Sequence, residues 1–228
     1  MYKIETHLHT AYASHCGYLG AEALMKMYKA CGYDGICVTD HYNRDTIDYL
    51  DIDLNAKDGK IDTILHGYEM LKRESEKGGY NIKVYPGVEI RFDESENDYL
   101  LFGFHRELLE DPDYIMKMGI EAFSRLARED NALLIQAHPY RRGCAPANPD
   151  FLEGVEIFNG NSRHENNNDR AKKFAENGDL IMTGGSDCHR PGDEGSGGIL
   201  SEILPKDGFE LAQVLRSKTT KIFARSFR

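Results

Sequence analysis

His7 and His9 flank a single leucine at the end of an apolar-alternating stretch, residues 2–9. A β-strand turns residues i and i+2 to the same side, so the two imidazoles can chelate one metal ion. Asp187 and His189 repeat that geometry with one carboxylate and one imidazole. Further candidates fall where other apolar runs end: Asp40-His41, Glu89 after Pro-Gly-Val, His105, and His138 before Pro139. His15 lies in the loop after the first strand. Imidazole with carboxylate suits zinc, manganese or iron, and a thiolate site is not expected. The set His7, His9, His15, His41, Glu89, His105, His138, Asp187 and His189 exceeds what one four-coordinate ion can use. Two or three ions are therefore expected, with Glu89 the natural bridge. A lone histidine at a strand end is more often a hydrogen-bonded structural residue. Two chelating pairs with further ligands at successive strand ends make that bland reading a chain of coincidences. His66 and His164 read as surface residues on or before helices.

These side chains need a scaffold that brings many strand ends together. Strands are expected at residues 2–9, 35–40, 82–92, 99–104, 133–137, 154–158, 180–184, 198–203 and 221–224. Helices are expected at 21–31, 61–77, 112–131, 165–177 and 208–217. Strand alternating with helix is the pattern of a parallel α/β fold. About seven such units without a dinucleotide glycine fingerprint favour a barrel over an open sheet. In such folds sites gather at the carboxyl ends of the strands, where seven of the nine histidines are expected.

The 228 residues suffice for one substantial core, read here as a single domain over 1–228. Five cysteines without regular spacing fit reduced thiols. No apolar run approaches the ~20 residues of a membrane span, and the start MYKIETHLHT lacks a signal-peptide plan. A cytoplasmic protein without membrane partners is expected. The net charge of −10 disfavours extended nucleic acid as partner. Three divalent ions would bring that charge to about −4 and focus the gain at one rim, a setting for a small anionic substrate.

The blocks His7-Leu-His9-Thr10, Thr39-Asp40-His41, Pro86-Gly87-Val88-Glu89, Ala137-His138-Pro139 and Gly185-Ser186-Asp187-Cys188-His189 resemble the PHP (polymerase and histidinol phosphatase) domain family. Val155-Glu156-Ile157-Phe158-Asn159-Gly160 is similar to another of its strand ends. The resemblance implies a distorted, TIM-like (β/α)7 barrel with a trinuclear metal site. It implies His7, His9, Glu89 and Asp187 on a first ion; Glu89, His105 and His138 on a second; His15, His41 and His189 on a third. Many relatives carry an aspartate near His15, and Glu107 competes with His105. The activity implied is phosphate-ester hydrolysis, a metal-bridging water attacking as hydroxide. The substrate would be a small phosphomonoester. Arg190, Arg141 and Arg142, with Arg163 behind them, are the candidate phosphate forks. Asp40 is expected to orient a ligand or carry a proton to the leaving group, Asn159 and Glu156 to line the floor, and Cys188 to be buried filler.

Four alternatives stand beside this reading. One is histidinol-phosphate hydrolysis; another is nucleotide phosphatase or exonuclease action. A third is an amidohydrolase cutting a C–N bond, although Glu89 takes the place of the bridging lysine of such barrels. The fourth is a non-catalytic metal-stapled module. Oligomeric state is not legible in the sequence.

Overall fold

The computed structural model describes residues 1–56 and 58–225. The chain runs β1 (Tyr2–Glu5), α1 (Ala21–Ala30), β2 (Gly35–Val38), β3 (His41–Tyr42), α2 (Arg44–Tyr49), α3 (Lys60–Ile64), α4 (His66–Gly78), β4 (Lys83–Arg91) and β5 (Asp98–Phe102). It continues with α5 (Pro112–Glu129), β6 (Leu133–Gln136), β7 (Gly154–Asn159), α6 (Asn168–Asn177), β8 (Ile181–Gly185), β9 (Gly197–Ser201), α7 (Gly208–Arg216) and β10 (Lys221–Ala224). The sheet order is β10-β9-β1-β2-β4-β5-β6-β7-β8, with β3 beside β4. β8 also packs beside β9 and β10, so the sheet curls into a nearly closed barrel. At the rim a single bridge, Leu8 with Cys188, joins the extensions of β1 and β8. His9 N–H donates to the Cys188 carbonyl at 3.0 Å.

The barrel is not uniformly parallel. β5 runs antiparallel to both β4 and β6, and β9 antiparallel to β1 and β10. Only residues 92–97 join β4 to β5. A parallel crossover needs a dozen or more residues, so this connection can only be a hairpin. Its consequence is that β5 begins, rather than ends, at the rim where β4 ends.

Local sequence explains the helices. The apolar positions Ala21, Leu24, Met25 and Tyr28 of α1 are buried at i, i+3, i+4 and i+7. Asp111 caps α5, accepting from Tyr114 N–H, and Pro112 occupies its first turn. That helix kinks at Gly119, whose φ of 75° requires glycine. There Glu94 accepts the Ile120 N–H that the kink frees, at 2.8 Å. The stretch expected as one helix over 61–77 is broken at Leu65 into α3 and α4. α7 buries Leu211 and Leu215 with Ile4, Tyr85, Phe102 and Ile199, each such side chain contributing about 1.5–3 kcal/mol. Among the described residues no helix is long and apolar enough to cross a membrane.

Candidate metal centre

Extensions of β1 and β8 carry His7, His9 and Asp187 into the rim, and β4 delivers Glu89, paired in register with His41 on β3. His7 Nε2 and His9 Nε2 stand 3.1 Å apart. Glu89 Oε1 lies 3.2 Å from His7 Nε2, and Glu89 Oε2 3.3 Å from His9 Nε2. Asp187 Oδ1 lies 3.5 Å and 3.4 Å from the same two nitrogens. Tetrahedral ligands held at 2.0–2.1 Å from one ion are about 3.3 Å apart. His7 and His9 therefore already stand at coordination-sphere spacing from each of the two carboxylates.

Around this core lie two flanks. On one, His138 Nε2 is 3.0 Å from Glu89 Oε1 and 3.8 Å from Asp98 Oδ2. On the other, the His41 and His189 rings lie tilted against His9, with centroids 4.3 Å and 4.2 Å from it. His41 Nδ1 sits 2.9 Å from Glu89 Oε2 but off the hydrogen-bonding axis, so it is buried without a hydrogen-bond partner. His138 and Asp187 both adopt positive φ, 25° and 51°. Such backbone costs on the order of 1–3 kcal/mol for non-glycine residues and clusters at functional sites.

A buried crowd of imidazoles and carboxylates is costly unless its charges are matched. Burial works against protonation of His7, but Glu156, Glu89 and Asp187 outweigh it and hold its pKa well above the ordinary value. His9 goes the other way, pushed well down by burial and by the neighbouring His189 and His41. Burial would raise Glu89 and Asp187; His7 and His41 for the first, His7 and Arg141 for the second, hold both well below the usual range. In the metal-free protein, protons on imidazoles thus neutralise the carboxylates. Divalent ions can take that role, and the donor set fits them.

The supporting contacts orient the donors. Glu156 accepts from His7 Nδ1 at 2.9 Å, leaving Nε2 aimed at the cluster. Asp40 accepts from Thr10 N–H at 2.7 Å, Thr10 Oγ1 at 2.7 Å and Ser14 Oγ at 2.6 Å, and Ser14 Oγ lies 3.2 Å from His9 Nδ1. Both Asp40 oxygens are thus engaged with the loop behind His9. Arg141 donates to Asp187 Oδ2 at 2.5 Å, to Asn159 Oδ1 at 3.1 Å and to Asn166 Oδ1 at 3.0 Å. Asn159 donates in turn to Glu156 and Asp187. Both hold the floor of the site together.

The structure brings seven of the nine expected ligands together: His7, His9, His41, Glu89, His138, Asp187 and His189. It does not bring His105 or His15. His105 follows the far end of antiparallel β5, 62% exposed, paired with Asp130 and packed on Phe209. Glu107 follows it in the same 3-10 turn at that far end. His15 is exposed and lies edge-on to Tyr49. Two residues not singled out as ligands stand near the vacated positions: Asp98, from the start of β5, and Cys16. Asp98 was findable, because a connection too short for a crossover reverses the strand. Burial would raise the Cys16 thiol; hydrogen bonds with His189 and His41 outweigh it and bring its pKa down to about 6. Cys188 is fully buried in the core, as its place between ligands suggested.

The cluster opens into a cleft of about 310 Å³ lined by Arg91, Arg141, Arg142, Arg163 and Arg190 together with His41, Glu89, His138, Asp187 and His189. Arg91 is bound to Asp98, and Arg163 to Asp193. Arg190 lies over the Tyr18 ring, 4.7 Å from its centroid. A larger groove of about 590 Å³, bordered by Lys83, Pro86, Phe104 and Phe209, lies at the other end of the barrel and touches none of the cluster.

Fold and site together define an α/β barrel whose rim is equipped to hold divalent metal. The PHP domain family model matches residues 5–224, and the chain belongs to that family. No curated protein matches the chain. A two-domain protein from Bacteroides vulgatus ATCC 8482, containing a predicted PHP-like metal-dependent phosphoesterase, is 17% identical with a TM-score of 0.67. The match covers 98% of this chain and 64% of that one, so the chain spans less than two thirds of that protein. An amidohydrolase from Chromobacterium violaceum, solved with sulfate and no metal, is 15% identical over 97% of each chain, with a TM-score of 0.56. The lesion-specific endonuclease PfuEndoQ from Pyrococcus furiosus is 14% identical, with a TM-score of 0.56 over 97% of this chain and 57% of its own. At these identities the likeness is one of fold.

Proposed function

We propose that the protein hydrolyses a small phosphomonoester with the aid of divalent ions, zinc, manganese or iron. The observation that carries this reading is the convergence of Glu89 and Asp187 on the Nε2 atoms of His7 and His9, at 3.2–3.5 Å, beside an arginine-rimmed cleft. Those four would hold one ion; Glu89, His138 and Asp98 would hold a second; His41 and His189 would take part in a third. Bound ions of this kind lower the pKa of water towards neutrality and neutralise phosphoryl charge.

The chain's own groups do the rest. Arg142 and Arg190 are the guanidinium groups at the rim not committed to a carboxylate side chain, and they would receive the phosphate oxygens. Arg141, Asn159 and Glu156 keep Asp187 and His7 aimed inward, while Asp40 does so for His9 through Ser14. A cleft of about 310 Å³ is at the small end of ligand sites, which supports a compact ester over a long polymer.

The test is phosphate release from p-nitrophenyl phosphate and a phosphomonoester panel, beside an amide panel and a duplex bearing an abasic lesion. Phosphomonoester turnover should dominate. His9→Ala and Asp187→Ala should lose metal and more than about 100-fold in rate, the upper range for removing even a ligand's partner, while keeping wild-type circular dichroism. Turnover confined to amides or to the lesioned duplex would refute the reading, as would full activity in metal-depleted His9→Ala.

A further inference from the structure

The loop between β1 and α1 sends a different side chain into the cluster from the one its sequence suggested. His15 faces outward, while Cys16 turns in, its Sγ 3.2 Å from His41 Nε2 and lining the same cleft as His189. His9, His41 and His189 offer nitrogens that all lie within 4.8 Å of one another. The two nitrogens of His41 divide the space: Nε2 faces the Cys16 thiol, while Nδ1 faces Glu89 at 2.9 Å.

The backbone fixes the thiol's place. Gly17 N–H donates to the Ser14 carbonyl at 2.9 Å, and Tyr18 N–H to the His189 carbonyl at 2.8 Å. Gly17 is pressed so closely on Thr10 that a Cβ there would stand 2.3 Å from the Thr10 carbonyl oxygen. The loop is thus pinned to β1 on one side and to the β8 extension on the other. A nitrogen and a sulfur bound to one tetrahedral zinc lie about 3.6 Å apart, and the Cys16–His41 gap is already on that scale.

We infer that Cys16 is a metal ligand, its sulfur completing with His41 and His189 a mixed sulfur–nitrogen position that takes a thiophilic divalent ion, zinc above manganese. On binding, the S–H bond breaks, its proton leaves to solvent, a sulfur–metal bond forms, and no oxidation state changes. Thiolate ligation favours zinc and disfavours manganese, whereas imidazole and carboxylate alone accept both. Cys144, the other thiol in the cleft, lies on the opposite flank within 4.8 Å of Asp98 and His138, and donates to the Glu96 carbonyl at 3.4 Å. The inference rests on the cluster being a metal centre, and is independent of the substrate.

Cobalt(II) loading of the full chain tests it, read by the near-ultraviolet sulfur-to-cobalt charge-transfer band. The band should be present in the wild type, lost in Cys16→Ser, and retained in Cys144→Ser and His15→Ala. A second readout needs no variant. X-ray absorption of the zinc-loaded protein should show a sulfur shell near about 2.3 Å, and zinc should protect Cys16 from iodoacetamide, mapped by peptide mass. A wild type without the band or the sulfur shell overturns the inference. So does a band that survives Cys16→Ser or disappears only in Cys144→Ser, or alkylation of Cys16 indifferent to zinc. Absence of phosphatase activity alongside an intact band would refute the substrate reading and leave the thiolate ligand standing.

Discussion

Asp98 is buried next to Glu89, and the two carboxylates repel. Burial first, then the Glu89 charge, raises the Asp98 pKa; Arg91 and His138 pull against both. A divalent ion between Asp98, Glu89 and His138 would relieve that conflict, which His105 at the far end of β5 cannot do. Asp98→Asn should therefore weaken metal retention by about 10–100-fold, whereas His105→Ala should leave it at the wild-type level, both read by competition with a chromophoric chelator. The reverse ranking would restore His105 to the site. The paired motifs His7-x-His9 and Asp187-x-His189 were legible because strand alternation alone makes them chelators. Cys16 was not, since in a loop nothing in the sequence decides which of two adjacent side chains turns inward.

Direction of a strand is a property of the element, and it decided what residue analysis could not. Apolar runs show where strands lie, and connection length shows which way they run. The six-residue link 92–97 carried that information, while the alternation of strands and helices suggested a parallel neighbour. β3 and α2 were missed for another reason: they are too short to display periodicity, and β3 exists only because β4 offers it a ladder. Helix α4 meets the site at Gly67, where a Cβ would stand 2.1 Å from Asp40 Oδ2 and 2.3 Å from Thr10 Oγ1. Alanine there gains up to about 1 kcal/mol of helix propensity, but overpacking of this kind costs about 1–3 kcal/mol. Gly67→Ala should therefore lower the urea midpoint. A raised midpoint would show that Asp40 and its loop yield without loss.

At the scale of the whole molecule β1 lies inside the curled sheet, between β2 and β9. Glu5 on that strand is fully buried, accepting from Ser186, Tyr28 and the His7 N–H. Burial nonetheless lifts its pKa from 4.5 to about 7. Because the folded value lies above the unfolded one, the folded state holds the extra proton between them. Its contribution is complete below pH 4.5 and is lost as pH rises through 7, roughly 3 kcal/mol over that window. In chelator-treated protein, Glu5→Gln should flatten the pH dependence of unfolding there; an unchanged slope would mean Glu5 titrates normally. The bridge between Leu8 and Cys188 has a consequence in time as well as space. A ribosome releases His7 and His9 long before Asp187 and His189, so the earliest ligands wait, unpartnered, for nearly the whole chain. The rim can close only after β8 has emerged, so an ion held jointly by His7, His9 and Asp187 would be loaded late in biogenesis.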